Sequence, residues 1–80
     1  MLKKIKVNKN EIAPTGIVLR VKKLYENKKF DEALVLGVEL IKKYPKTTII
    51  HNILGIIFFN KNNLSRSLCH FREALKLDSS

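Results

Sequence analysis

The sequence predicts an all-α domain of four helices joined by short loops. Apolar residues recur at three- and four-residue steps in four segments, and no stretch alternates polar and apolar residues for long enough to form a strand. The most apolar segment runs from Ile49 to Phe59, where eight of eleven residues are large and apolar. Because they surround nearly the whole helix, this segment is predicted to be the buried central helix on which the others pack.

The first two helices are predicted on either side of a turn at residues 27–29. The first helix follows a Pro-Thr-Gly breaker at residues 14–16, after which apolar residues recur at helical spacing. The second runs from Phe30 to Lys43, with acidic residues in its first turn and lysines in its last turn, which suits the helix dipole. Pro45 ends this helix, because the residue before a proline is pushed out of the α region.

The third and fourth helices are predicted around an asparagine-rich turn at residues 60–63. Thr47 or Thr48 is expected to cap the third helix, since a side-chain oxygen at that position accepts a hydrogen bond from a free backbone N–H. Asn63 is the expected cap of the fourth helix, which runs from about Leu64 to Leu77.

Length and charge limit the classes of function. At 80 residues the chain forms one domain, and its 16 basic against 7 acidic residues give a net charge of +9. That charge fits a nucleic-acid or anionic-membrane partner. It also fits the lysine-rich composition of an AT-rich genome, which we favour. Residues 1–13 are predicted to be a basic lead-in that precedes the domain.

The chain is expected to be cytoplasmic, with no membrane partner. A single cysteine, Cys69, excludes an internal disulfide framework and fits a reducing compartment. The first residues carry charges without the apolar segment of a signal peptide. The most apolar segment is far shorter than the roughly 20 residues that span a bilayer.

An internal repeat with a period of about 34 residues relates the two halves of the chain. Shifting the sequence by this period superimposes the first predicted helix on the third and the second on the fourth. Three positions are then identical, as the pairs Leu34 and Leu68, Glu39 and Glu73, and Lys42 and Lys76.

The second half of the chain resembles a tetratricopeptide repeat, a helix–turn–helix unit of about 34 residues. It matches the family's pattern of small and large residues at Leu54-Gly55, Phe58, Ser67, Phe71 and Ala74. Small residues let antiparallel helices approach, so a neighbouring backbone is expected to come close to Gly55. The sequence departs from the pattern at His51, where tryptophan is commonest, and at Ser79, where proline is.

The first half resembles the family less closely. It keeps Leu24, Ala33 and Pro45. However, residues 20–21 replace the leucine–glycine pair, and Gly37 replaces an aromatic residue. Terminal repeats are often atypical, so the two halves are still read as two repeats.

The resemblance implies an α-α superhelix of antiparallel helical hairpins over residues 14–80. Repeat 1 occupies about residues 14–47 and repeat 2 about residues 48–80. The last residues resemble the start of a third repeat, so the chain is expected to be a fragment of a longer repeat protein or enzyme.

The sequence shows no recognisable catalytic, cofactor or metal site. His51, Cys69 and His70 are its soft metal-ligand candidates, and no two of them have the spacing of a known metal motif. No glycine-rich loop is present to bind a phosphate, and no serine has a histidine and an acid at recognisable spacing. We therefore expect no enzyme activity, no cofactor and no metal.

The resemblance implies that a protein or peptide partner binds along a concave surface formed by the first helix of each repeat. The positions expected to line it are Val18, Lys22, Tyr25, Glu26, Ile49, Asn52, Ile56, Phe59 and Asn60. For Ile56 and Phe59 the alternative is core packing against a neighbouring helix. The family's clamp for a C-terminal carboxylate is absent, because Val18 and Ile53 are apolar and Lys22 replaces an asparagine.

The main functional alternative is a basic helical nucleic-acid-binding protein. Two positions of the expected groove are isoleucine and phenylalanine, and arginine, the usual base reader, is scarce in the chain. A nucleic-acid partner is therefore less favoured than a protein partner.

A further expectation is self-association through the last helix. Leu68, Leu75 and Leu77 are predicted to form an exposed end face, where a following helix would pack. End-to-end stacking of two chains, or exchange of a helical hairpin between them, would cover this face and give a homo-oligomer.

Overall fold

The computed structural model describes residues 12–78, which form four α-helices. They are α1 (Thr15–Glu26), α2 (Phe30–Lys43), α3 (Thr48–Asn60) and α4 (Leu64–Asp78). No strand occurs within residues 12–78, so the predicted all-α fold is confirmed. The predicted basic lead-in lies outside the described residues except for its last two positions, Ile12 and Ala13.

The helices form two hairpins, α1 with α2 and α3 with α4, whose boundaries repeat along the chain. α1 ends at Glu26 and α3 at Asn60, which is one repeat period later. α2 begins at Phe30 and α4 at Leu64, again one repeat period later. The period found in the sequence therefore also describes the positions at which the helices end and restart.

The turn inside each hairpin has the same backbone geometry. Lys28 (φ 63°) and Asn62 (φ 64°) both adopt the left-handed conformation. The residue after each of them donates its backbone N–H to a carbonyl five residues earlier. These bonds are Lys29 to Leu24 and Asn63 to Phe58, both at 2.8 Å. Such bonds satisfy carbonyls that a helix end leaves free, so the two turns are repeats of one another.

α3 is the centre of the structure, as predicted. Seven of its 13 residues are buried, and Ile50, Leu54 and Ile57 have no exposed surface. α1 and α2 both pack against α3, whereas α4 packs against α3 alone within the described residues. Although α3 is very apolar, neither it nor another helix of residues 12–78 is long and apolar enough to cross a membrane.

The two helices of the second hairpin approach closely at Gly55. Ser67 Oγ donates a hydrogen bond to the Gly55 carbonyl at 2.8 Å. A Cβ added to Gly55 would lie 2.6 Å from a ring carbon of Phe71. The atoms nearest to the missing Cβ of Gly55 therefore belong to an aromatic ring of the neighbouring helix. Ser67 and Ala74 are both buried in this interface, as the repeat pattern predicted.

The predicted capping residues Thr47 and Asn63 both precede their helices, but only Asn63 makes a cap hydrogen bond with its side chain. Asn63 caps α4, since its Oδ1 accepts a hydrogen bond from the Arg66 N–H at 3.3 Å. Thr47 precedes α3, but its hydroxyl makes no cap hydrogen bond. Its Oγ1 instead donates to the Tyr44 carbonyl and accepts from the Ala13 N–H, both at 2.9 Å. Thr47 therefore ties the segment before α1 to the loop before α3.

Candidate interaction surface

The outer side of α3 presents two large apolar side chains to solvent. Ile49 is 46% exposed and Phe59 is 58% exposed, and Ile56 between them is half-buried. Their spacing places the three residues on one face of the helix. Asn52 and Asn60 are exposed on the same side. Core packing does not account for Phe59, because most of its side chain has no protein neighbour in the described residues.

α1 contributes the other half of the predicted surface. Lys22 and Glu26 are exposed, whereas Val18 and Tyr25 are half-buried because they also pack against the core. The ring of Tyr25 lies 5.8 Å from the ring of Phe30, measured between centroids. This contact fixes Tyr25 against the start of α2, so only part of its ring faces solvent.

An open cleft between α1 and α3 brings part of this surface together. It has a volume of about 560 Å³, and four of the predicted residues line it. These four are Val18, Lys22, Ile49 and Asn52. The other five predicted residues, Tyr25, Glu26, Ile56, Phe59 and Asn60, do not line this cleft. The predicted surface therefore consists of a cleft near the start of α1 and α3 and an exposed patch around Phe59 nearer their ends.

Eight further residues line the cleft and were missed by the sequence reasoning: Ile12, Ala13, Thr15, Leu19, Lys46, Thr47, Thr48 and Asp78. Thr15 occupies the position in α1 that Ile49 occupies in α3, so it could have been predicted from the repeat, since Ile49 was in the predicted set. Leu19 is exposed in the cleft beside Lys22. Ile12 precedes the first helix, and no helical pattern extends to it. The missed residues therefore add apolar side chains, threonine hydroxyls and the charges of Lys46 and Asp78 to the cleft.

A second open cleft, of about 600 Å³, lies on α1 and the start of α2 and is lined by six charged residues. The charged residues that line it are Arg20, Lys22, Lys23, Lys29, Glu26 and Glu32. Because the two carboxylates are interspersed among four cations, the positive potential of this cleft is partly offset.

A pair of histidines connects α3 to α4. His51 is buried, with its Nε2 2.8 Å from the Pro45 carbonyl and its Nδ1 3.1 Å from the Nδ1 of His70. A carbonyl oxygen only accepts, so Nε2 of His51 carries the hydrogen and donates it. The Nδ1 of a neutral His51 then accepts from the Nδ1–H of His70. His51 thus joins the loop before α3 to α4.

The charge state of His70 is set by its surroundings. Its ring stacks on Phe58, with centroids 5.6 Å apart and an angle of 5° between the planes. Burial, the largest effect, lowers the pKa of His70 from its usual 6.5, and the nearby His51 and Arg66 lower it further. Glu73 acts in the opposite direction. Within residues 12–78, no group of three or more His, Cys, Asp or Glu side chains is arranged to hold a metal ion.

The predicted end face on α4 divides into two parts. Leu68 and Leu75 are exposed, as expected. Leu77 is half-buried, because it follows Leu75 by two residues and so lies on nearly the opposite side of the helix. Leu64, which was not in the predicted set, is exposed on the side of Leu68 and Leu75.

Comparison with protein-family models, with curated proteins and with solved structures finds no match to this chain. The likeness to tetratricopeptide repeats therefore depends on the residue pattern and on the repeated geometry of the two hairpins.

Proposed function

We propose that this chain is a non-enzymatic protein–protein interaction module that binds a partner peptide or helix across the outer face of α1 and α3. The observation that carries the proposal is the exposure of Ile49 and Phe59 on one face of α3, beside a cleft shared with α1. Single exposed apolar residues are common, whereas several on one face beside a cleft are typical of binding surfaces.

The cleft supports a partner with both an apolar and an acidic or polar group. Val18, Leu19 and Ile49 provide apolar walls. Lys22 and Lys46 provide two cations and Asn52 an amide beside them, against one carboxylate from Asp78. An apolar side chain of the partner fits the walls, and a carboxylate or carbonyl next to it receives hydrogen bonds from Lys22 or Asn52. Phe59, farther along α3, offers a second apolar contact.

Further support for a binding module comes from the resemblance to tetratricopeptide repeats, whose partners lie along the first helix of each repeat. The proposal includes a cytoplasmic location, which the single cysteine supports. The tetratricopeptide assignment itself belongs to the proposal, with the matching turns at Lys28 and Asn62 in its favour.

The proposal is tested with peptides selected from a random displayed library on the wild-type chain. Their affinities are then measured by calorimetry for the wild type, for the double variant Ile49→Ser/Phe59→Ser, and for the control Val35→Ser. Val35 is an exposed apolar residue on α2, so the control removes a comparable side chain from another face.

We expect the double variant to lose at least about tenfold in affinity, because each truncated contact residue contributes on the order of 1 kcal/mol. The control is expected to bind like the wild type. Selected peptides that bind the double variant as tightly as the wild type would contradict the proposal, as would a library that yields no binder.

A nucleic-acid-binding function is the second candidate, and the charged cleft on α1 is the observation in its favour. Arg20, Lys23 and Lys29 converge there with Lys22. Glu26 and Glu32 line the same cleft and repel phosphates, so the site favours this candidate less than the apolar surface favours a protein partner.

A further inference from the structure

One side of α4 carries an apolar stripe, defined here as Leu64, Leu68, Phe71 and Leu75. Their spacing of four, three and four residues places them along a single line on the helix. The three leucines are exposed, and Phe71 is half-buried because its ring also covers Gly55. Within residues 12–78, only α3 packs against α4. The three leucines lie to one side of the buried residues Ser67 and Ala74, whereas Phe71 takes part in the contact with α3.

The first hairpin shows what covers such a stripe. Its counterparts, one repeat period earlier on α2, are Phe30, Leu34, Gly37 and Ile41. Gly37 is buried directly against α3, where an added Cβ would lie 2.9 Å from Leu54. The other three are half-buried and pack against the core. In this molecule, therefore, the equivalent line of residues is covered by another helix.

A second copy stacked head to tail would not cover the stripe in the same way. Such stacking would bring α1 of one copy onto α4 of the other, as α3 lies on α2 within the chain. Gly37 contacts Ile50 and Leu54 of α3, and the counterparts of these residues on α1 are Gly16 and Arg20. Arg20 is exposed, and pressing its charge against leucines would remove it from water without a partner.

We propose that the stripe is covered by the same stripe of a second copy, with the two α4 helices antiparallel about a two-fold axis. Antiparallel pairing places the Leu64 end of one copy against the Leu75 end of the other. Because the stripe is apolar at both ends and in its middle, apolar residues then face each other along its whole length. A four-three-four spacing is the repeat by which two helices pack along a seam. The contact is isologous and therefore closes at two copies. It is separate from the outer face of α1 and α3 and does not depend on the function proposed for that face.

A positive charge beside the stripe predicts how dimerisation responds to salt. Arg72 is exposed one residue after Phe71, so the pair brings two like charges toward each other along the seam. Repulsion between exposed charges is screened by salt. The dimer is therefore expected to tighten as salt rises, whereas binding of an acidic partner to the same side would weaken.

The first test is sedimentation equilibrium of the chain from about 1 to about 500 µM. A contact between two single helices is expected at or below the low end of the roughly 1,200–2,000 Å² range of specific interfaces, so the dimer is expected to be weak. The mass should rise from 9.2 kDa and level off at twice that value. A strictly monomeric wild type overturns the proposal, and so does a mass that keeps rising past the dimer, since open head-to-tail chains grow in that way.

Two matched variants test the surface. Leu75 is 70% exposed on the stripe, and Val35 is 63% exposed on α2, so lysine at either position leaves the core unchanged. Leu75→Lys should raise the Kd at least about tenfold, and Val35→Lys should dimerise like the wild type. Equal melting temperatures of the two variants, taken at a concentration where both are monomeric, establish that Leu75→Lys is folded. Equal dimerisation of the two variants overturns the proposal.

The third test measures the arrangement of the two copies. Cys69 is the single cysteine, is exposed, and lies near the middle of the stripe in sequence, so a nitroxide attached to it reports on both copies. Adjacent helices have diameters of about 10–12 Å each, so side-by-side pairing of the two α4 helices about a two-fold axis predicts one label–label distance within about 25 Å. A distance well beyond this, or the same distance in the Leu75→Lys variant, overturns the symmetric arrangement.

Discussion

The ring of Phe71 lies directly over the backbone of Gly55. A Cβ at Gly55 would come within 2.6, 2.7 and 2.9 Å of three carbons of that ring. The glycine is thus required by a side chain from the neighbouring helix, since its own φ is negative and places no demand on the residue type. This contact, together with the hydrogen bond from Ser67 to the Gly55 carbonyl, sets the spacing of the second hairpin.

Overpacking at Gly55→Ala is expected to cost about 1–3 kcal/mol. The gain in helix propensity offsets about 1 kcal/mol of this, so the net destabilisation is expected to reach at most about 2 kcal/mol. In a Phe71→Ala background the ring is gone, so the same substitution should become neutral or stabilising. Urea unfolding of the four chains measures this coupling. Identical effects of Gly55→Ala in both backgrounds would contradict the contact.

The left-handed residues in the two turns provide a second prediction. Lys28→Gly should stabilise the chain by about 0.5–1 kcal/mol, because a left-handed conformation is unfavourable for lysine and costs glycine nothing. Asn62→Gly should stabilise the chain by a smaller amount, since asparagine tolerates the left-handed conformation better than lysine does. Asn27→Gly is the control: its φ is −86°, so glycine there should be destabilising. A loss of stability in Lys28→Gly, measured by urea unfolding, would show that the turn differs from the one described.

His70 makes folding stability depend on pH. The pKa of His70 is lowered in the folded chain by burial first, and also by His51 and Arg66, with Glu73 opposing. Because the unfolded chain then binds the proton more readily, stability is present in full above the usual pKa of 6.5 and falls as the pH drops below it. The loss stops once the pH is below the folded-state pKa.

The melting temperature is accordingly expected to fall between about pH 7 and pH 5, and His70→Gln should reduce this slope. Glutamine keeps an N–H donor for His51 and does not titrate. Arg72→Gln on the same helix is the control, because its exposed side chain is not in the histidine pair, and it should retain the wild-type slope. If the melting temperature of His70→Gln falls with pH as steeply as that of the wild type, a group other than His70 causes the pH dependence.

The nucleic-acid alternative has its own test. We expect no tight binding to single- or double-stranded oligonucleotides at about 150 mM salt, because the cations around Arg20 are interspersed with Glu26 and Glu32. Fluorescence anisotropy over a range of salt concentrations is the measurement. Sub-micromolar affinity with a log–log salt slope steeper than about −4 would indicate several neutralised phosphates and favour the alternative.

Much of the fold was predictable because it depends on local pattern. The repeat register and the cap at Asn63 locate the helix boundaries to within about one residue, and the apolar density of residues 49–59 identifies the central helix. Asn62 is a usual residue for a left-handed turn, whereas Lys28 gives no such signal and takes that conformation because the hairpin requires it.

Contacts between distant residues were not predictable. The hydroxyl of Thr47 bonds to Ala13 and not to its own helix, which becomes visible only when the segment before α1 is placed. The same holds for His51 and His70, which lie 19 residues apart and have no motif spacing. The candidate surface was found in outline, but the cleft includes Ile12 and Leu19, whose positions depend on how α1 lies against α3.

The central claim is that a partner binds to the outer face of α1 and α3. Its most direct test is amide chemical-shift mapping of the labelled chain with a peptide selected on the wild type. We predict that the perturbed residues cluster at the cleft and the Phe59 patch, with Val18, Lys22, Ile49, Asn52 and Phe59 among them. Shifts confined to α2 and to the exposed side of α4, or spread without pattern over the surface, would contradict the claim.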